Sequence, residues 1–118
     1  MITIYVYPKC STCKNAIKWL IANDIEHEIK NIVTECPTAS ELQQLHELTG
    51  LSIKKIFNTS GNKYKELGLK DKVDDLSYEA CYDLLASDGM LIKRPLAYTN
   101  KKVTLGFKIP EYEEAWLK

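Results

Sequence analysis

Arginine is nearly missing from this 118-residue chain: of its 16 basic residues, only Arg94 is not a lysine. Lysine serves well as a solvated surface charge, whereas arginine offers a planar fork that grips oxyanions through two bonds. The single arginine stands directly before Pro95. Net charge is missing too. The 16 acidic residues balance the basic ones, which excludes a broad electrostatic hold on nucleic acid or an anionic membrane. No apolar run approaches the ~18 residues of a membrane span. The chain starts directly on a strand pattern with no charged-then-apolar leader, which points to the cytoplasm. No internal repeat or low-complexity segment occurs. The second close pair that a four-ligand zinc site needs is also lacking. Only Cys10 and Cys13 are neighbours. Cys36 and Cys81 stand alone, and neither His27 nor His46 has another candidate ligand beside it. No metal or other cofactor is expected. In a reducing compartment the thiols therefore read as redox chemistry before they read as a structural framework.

What is present centres on Tyr7-Pro-Lys-Cys10-Ser-Thr-Cys13-Lys14. Before it, residues 2–7 are β-branched and aromatic, with apolar groups on both faces, and predict a central strand. After it, Cys13, Ala16, Ile17, Leu20 and Ile21 recur at helical spacing and predict a helix over 11–23. The thiols sit where the strand turns into the helix. A helix start has unpaired N–H groups and the positive end of the macrodipole, and both favour a thiolate over a thiol. Cys10 is expected at the helix tip near solvent, as nucleophile, and Cys13 on the buried face, as resolving partner. Such a pair can reach the Cα separation of about 5.5–6 Å that a disulfide needs. The alternative is that both are small apolar fillers.

Residues 25–32 read as a second strand, parallel to the first through the helix. His27 reads there as a solvated strand residue. Thr38 and Glu41 form a capping box, opening a helix that turns Leu42, Leu45 and Leu48 inward, leaves His46 exposed and stops at Gly50. Ser52 is placed to cap a short helix through Ile53, Ile56 and Phe57. Residues 58–62 are turn chemistry, and Tyr64 to Leu67, ended by Gly68, allow one helical turn. Residues 70–75 read as a solvated charged loop. Ser77 starts a helix with Cys81, Leu84 and Leu85 inward, ended by Gly89. Cys81 reads as core filler; Cys36 is left between a loop thiol and a third redox thiol. Residues 96–99 and 102–105 read as a hairpin about Asn100-Lys101. Residues 109–117 open with Pro110 and acids, a helix start, and Trp116 and Leu117 are expected to dock this helix on the sheet. The length suits one domain with a real core. The fold class is α/β: a mixed sheet built as β-α-β and then hairpin-α, with residues about 37–88 as an inserted helical subdomain.

Tyr7-Pro-Lys-Cys10-Ser-Thr-Cys13-Lys together with Leu91-Ile-Lys-Arg94-Pro95-Leu resembles the arsenate reductase (ArsC)/Spx family of the thioredoxin-like fold. Residues 50–57, 64–69 and 105–107 fit its helical insertion and the approach to its last helix. The resemblance implies that Pro95 is cis and beside the thiols, that Cys10 attacks, and that Arg94 holds an oxyanion or anionic partner. It implies that Ser11, Thr12, Lys14 and Pro95 line the substrate position. Members coupled to glutaredoxin use one catalytic cysteine and three arginines. Here only Arg94 matches; the other positions fall at Asn58, on the inserted helix, and at or near Phe107, with Lys108 beside it. One guanidinium is a poor cage for a divalent oxyanion, which weighs against efficient arsenate reduction. The second thiol matches the Spx-like branch.

Two functions follow. One is an oxidoreductase acting on a low-molecular-weight thiol or protein disulfide, with Cys10, Cys13 and Arg94 as its catalytic set. The other, implied by the resemblance, is a redox-sensing regulator that binds RNA polymerase without gripping DNA itself. A member whose thiols stay silent is the third reading.

Overall fold

The computed structural model describes residues 1–117. The chain forms two compact units, Met1–Asn31 with Arg94–Lys118, and Ile32–Lys93.

In the first unit, β1 (Ile2–Val6) lies inside a four-stranded sheet, as its two-faced apolar pattern requires. Ile2, Ile4, Tyr5 and Val6 are all buried. β2 (His27–Asn31) pairs with it in parallel, Ile4 opposite Ile29. β3 (Leu96–Tyr98) pairs antiparallel on the other side, Ile4 opposite Ala97, and β4 (Val103–Leu105) follows it. The order is β2-β1-β3-β4. A parallel pair needs a crossover, and α1 (Ser11–Ala22) supplies it. Its apolar stripe buries Cys13, Ala16 and Leu20 and half-buries Ile17, whereas Ile21 turns out to solvent. Full burial of a side chain such as Leu20 contributes about 1.5–3 kcal/mol.

The expected hairpin is present. The Thr99 N–H donates to the Lys102 carbonyl at 2.9 Å, and the Thr99 hydroxyl accepts from the Lys101 and Lys102 N–H groups at 3.2 Å. α5 (Ile109–Trp116) starts with Pro at its first turn. Its docking differs from expectation. Leu117 is exposed, because it lies past the last helical turn, and Trp116 is half-buried against the core. The residue that anchors α5 is Tyr112, fully buried, with Trp19 and Phe107 edge-on to it at 5.4 and 4.8 Å. Tyr112 and Trp116 share a helix face at i, i+4, which Leu117 does not.

In the second unit, α2 (Ala39–Thr49) carries the complete capping box between Thr38 and Glu41 and ends at Gly50, whose φ is 65°. The inward face is corrected: Leu48 is exposed and His46 is buried. Leu42, Leu45, His46 and Thr49 follow the 3.6-residue period, and Leu48 falls off it. A buried imidazole is tolerated because both nitrogens are satisfied. Nε2–H donates to the Leu51 carbonyl at 2.9 Å, so Nδ1 accepts from the Tyr82 hydroxyl at 2.6 Å. Replacing Tyr82 by Phe strands that nitrogen in the core. The expected cost is about 1–3 kcal/mol in equilibrium urea unfolding.

A 3-10 turn (Ile53–Ile56) follows, where Ser52 holds the cap position without a side-chain capping bond. Asn58 comes after this turn and not on a helix; its N–H donates to the Leu91 carbonyl at 2.7 Å. α3 (Asn62–Glu66) ends before Gly68, φ 63°. The charged stretch 70–75 is not a plain loop. It makes two 3-10 turns, Leu69–Asp71 and Val73–Asp75, pinned because Leu69 and Val73 are buried between charges that stay in water. α4 (Tyr78–Ser87) is capped by the Ser77 hydroxyl and buries Cys81, Tyr82 and Leu85; Leu84 is only half-buried. Gly89 does not terminate α4, which closes on Asp88. Gly89 is buried, and a Cβ built on it would lie 2.0 Å from the Ile32 carbonyl oxygen.

Candidate active site

Three short segments of the first unit build the site: the end of β1 with the start of α1, the Arg94-Pro95 step, and the approach to α5. Val6 closes the strand, and the Cys10 N–H donates to the Tyr7 carbonyl at 3.0 Å, turning the chain through Pro8 and Lys9. Cys10 is the N-cap of α1 with extended backbone (φ −88°, ψ 111°). Its sulfur takes the role that a serine oxygen fills at most helix starts. The Cys13 N–H donates to Cys10 Sγ at 3.3 Å, and the Lys14 N–H to the Cys10 carbonyl at 3.1 Å. A partial negative charge on that sulfur meets a free amide and the positive end of the helix dipole.

The two thiols are unequal. Both are free; Cys10 is half-buried and Cys13 buried. Burial pushes the Cys13 thiol up to about 12, and the neighbouring Cys10 side chain, by hydrogen bond and charge, adds to the rise. A Tyr7 backbone hydrogen bond and the Arg94 charge pull the other way. The Arg94 guanidinium therefore acts electrostatically on Cys13. It lies over the Tyr7 ring, 5.3 Å from its centroid, an arrangement that holds it by about 0.5–2 kcal/mol. The sequence did not single out Tyr7 for this part; an aromatic residue three places before Cys10 was the available sign.

Of the other residues expected here, Ser11, Thr12 and Lys14 are exposed on the first turn of α1. Pro95 is buried, and the Arg94-Pro95 peptide bond is cis. The Pro95 carbonyl accepts from the Gly106 N–H at 2.9 Å, and Gly106 has φ 76°. Phe107 is part of the core against Tyr112, so this position offers a ring and no charge. Lys108 is exposed and caps α5 through its carbonyl, which accepts the Tyr112 N–H at 3.0 Å. Arg94 thus has no guanidinium beside it from that quarter. Burial pushes the Tyr112 phenol up to about 12; a hydrogen bond with the Thr104 side chain pulls the other way, and the Cys13 and Glu111 charges add to the rise.

The remaining cysteines have different surroundings. Cys81 is fully buried on α4, as expected of a core filler. Cys36 Sγ–H donates to the Leu85 and Ala86 carbonyls at 3.7 and 3.6 Å. Burial raises the Cys36 thiol, and the Asp88 and Glu41 carboxylates raise it further, which opposes thiolate chemistry there. Among the described residues, no group of three or more His, Cys, Asp or Glu side chains is arranged to hold a metal ion. No described helix is long and apolar enough to cross a membrane.

Comparison with known proteins bears on this arrangement. A family profile described as ArsC family matches residues 5–115. The Bacillus subtilis (strain 168) protein YusI is 50% identical over 115 residues, covering 98% of both chains. The regulatory protein MgsR of the same organism is 31% identical over 90% of this chain and 82% of its own length. Among solved structures, an ArsC family related protein from Bacteroides fragilis superposes with a TM-score of 0.92 at 47% identity, covering 96% of this chain and 95% of that one. An arsenate reductase from Vibrio cholerae superposes with a TM-score of 0.81 at 27% identity, over 97% and 93%.

Proposed function

Because this chain belongs to the ArsC family, we propose that it is a thiol–disulfide redox protein in which Cys10 attacks and Cys13 resolves. The observation that carries the reading is the unequal placement of the two sulfurs. One caps a helix within reach of solvent; the other is shut in the core one turn on. Attack needs an accessible thiolate, whereas resolution needs a thiol that stays quiet until it is required.

The Cys10 thiolate attacks one sulfur of a disulfide substrate. A Cys10–substrate S–S bond forms, the substrate S–S bond breaks, and one substrate thiolate leaves. Cys13 then loses its proton and attacks Cys10 Sγ. A Cys10–Cys13 bond forms, and the second substrate thiolate is expelled. Two electrons pass from the pair to the substrate, and an external thiol must return them. The causes acting on Cys13 suit this order. While Cys10 is a thiolate, its charge and its hydrogen bond keep Cys13 protonated. Once Cys10 is tied up in the mixed disulfide, both causes vanish and Cys13 ionises more readily. Arg94 attracts an anionic thiol such as a glutathionyl group. Exposed Ser11, Thr12 and Lys14 offer that group hydroxyls and a cation. With Phe107 filling a neighbouring position, a divalent oxyanion finds one guanidinium, which favours sulfur over arsenate as the substrate centre.

Replacing Cys13 by Ser stops the reaction halfway. Incubated with glutathione disulfide, Cys13→Ser accumulates one glutathionyl adduct on Cys10, seen by intact-protein mass spectrometry and peptide mapping. The wild type passes on to the internal disulfide. An adduct found on Cys36 instead, or none at all, sinks the assignment.

The similarity to MgsR favours a second reading, a regulator whose Cys10–Cys13 state sets its docking on RNA polymerase. Retention on immobilised polymerase by one redox form would support it; no retention of either form would remove it.

A further inference from the structure

An arginine side chain is long and flexible, and its charge selects an incoming group only where its tip is held in place. The root of Arg94 is fixed by its neighbour: Pro95 is buried, and its carbonyl accepts from the Gly106 N–H at 2.9 Å. The tip meets a different element. The guanidinium carbon lies 5.3 Å from the centroid of the Tyr7 ring, Nε is buried, and both residues are half-buried. Tyr7 is in turn held by the bend that presents the nucleophile, since its carbonyl accepts from the Cys10 N–H at 3.0 Å. Ring, guanidinium and attacking sulfur thus share one anchor, the turn from Tyr7 to Cys10. The charge along this stretch has one sign. Lys9 precedes Cys10 and Lys14 follows it one turn on, both exposed, and no acidic residue stands between Tyr7 and Ala22. A solvated ammonium on a flexible stem gives a diffuse attraction, whereas a stacked guanidinium gives a localised one.

Resting on the redox reading above, we propose that Tyr7 is a positioning residue that sets charge selectivity: its ring holds the Arg94 guanidinium beside the turn that presents Cys10, so that acidic disulfides are attacked in preference to basic ones. Arg94 acts through its charge and Tyr7 through placing it. A disulfide carrying carboxylates, such as glutathione disulfide, is drawn in; one carrying ammonium groups, such as cystamine, is repelled. Only the first exchange is concerned: the Cys10–substrate S–S bond forms, the substrate S–S bond breaks, and one substrate thiolate leaves. The face of the ring matters and its hydroxyl does not, because the attraction comes from the ring quadrupole. Phenylalanine therefore serves in place of tyrosine. An apolar side chain with no π face does not.

The test is the second-order rate of that first exchange, measured on the reduced protein with glutathione disulfide and with cystamine, by rapid-quench alkylation and peptide mapping of Cys10. Each rate is divided by that of 2-mercaptoethanol with the same disulfide, and the quotient of the two is the selectivity. A general loss of reactivity or of folded protein lowers both rates and cancels. The wild type favours glutathione disulfide. Tyr7→Leu lowers the selectivity about fivefold, and Tyr7→Phe keeps it within about twofold of the wild type. Arg94→Gln lowers it at least as far as Tyr7→Leu does. Adding Tyr7→Leu to Arg94→Gln lowers it no further, because the ring then has no guanidinium to hold. Tyr7→Met, also without a ring, repeats the leucine result should Tyr7→Leu fold poorly. Wild-type selectivity in the ringless variants overturns the inference, as does a loss in Tyr7→Phe equal to theirs. So does a further loss in the double variant, which would mark an effect that bypasses Arg94, and so does a wild type with no selectivity. Absence of any Cys10 adduct in the wild type, with either disulfide, would instead overturn the redox reading itself, and the inference with it.

Discussion

Gly89→Ala is expected to lose about 4 kcal/mol of stability or more, beyond the range of ordinary single substitutions. Gly89 is not in the left-handed region, so an alanine there meets no backbone penalty of its own. The damage is steric. The added carbon would sit 2.0 Å from the Ile32 carbonyl oxygen and 2.7 Å from its carbon. Both are backbone atoms, so no side chain can swing aside. The turn Gly89–Leu91 must then move, and with it the Asp88 carboxylate that accepts the Met90 N–H at 2.9 Å. Gly68→Ala is the control. Its φ of 63° strains an alanine, but the nearest atom is 3.8 Å away at the end of the Lys72 side chain. Its cost is about 1 kcal/mol. Urea unfolding of the two variants checks the contrast; equal losses would mean that the close approach at Ile32 does not govern this site.

Cys10→Ser should abolish disulfide exchange with glutathione disulfide, by about three orders of magnitude or more, while leaving the fold intact. The second half makes the first interpretable. Serine is among the best N-cap residues, so the oxygen accepts the Cys13 N–H at least as well as sulfur does now. The melting temperature therefore holds or rises slightly. A nucleophile is lost and a cap is kept. Exchange that persists in Cys10→Ser and disappears in Cys36→Ser would move the chemistry to the loop thiol, against the carboxylates that surround it.

The parts of this architecture that local chemistry dictates were readable from the residues. The strand before Cys10, the helix after it, the Thr38–Glu41 box and the hairpin about Asn100-Lys101 each follow from short-range rules, and each is present. Three departures trace to tertiary partners that local rules do not expose. A histidine such as His46 beside a leucine stripe is usually solvated. Tyr82 and the Leu51 carbonyl bring it inside. Glycine often ends helices, but the constraint on Gly89 is Ile32, far back in the chain. Tyr112 takes the anchoring place expected of Trp116 and Leu117, packed edge-on by Trp19 and Phe107. At the site the two sulfurs and the lone arginine were legible from motif and composition. Tyr7 beneath the guanidinium was not, since a ring-to-cation contact leaves no spacing rule in the sequence.

The order of the sheet carries a consequence for how copies of the protein behave when crowded. β2 and β4 are the outer strands, with no further strand beside either among the described residues. Such an edge is a template on which another extended chain can zip, and the usual defences are brevity and charge. β4 has only three residues, and β2 sets Glu28 and Lys30 on either side of its half-exposed Ile29. Fibrillar growth along either rim would have to carry those charges or make do with three residues, so concentrated solutions are guarded by the plainest residues in the fold.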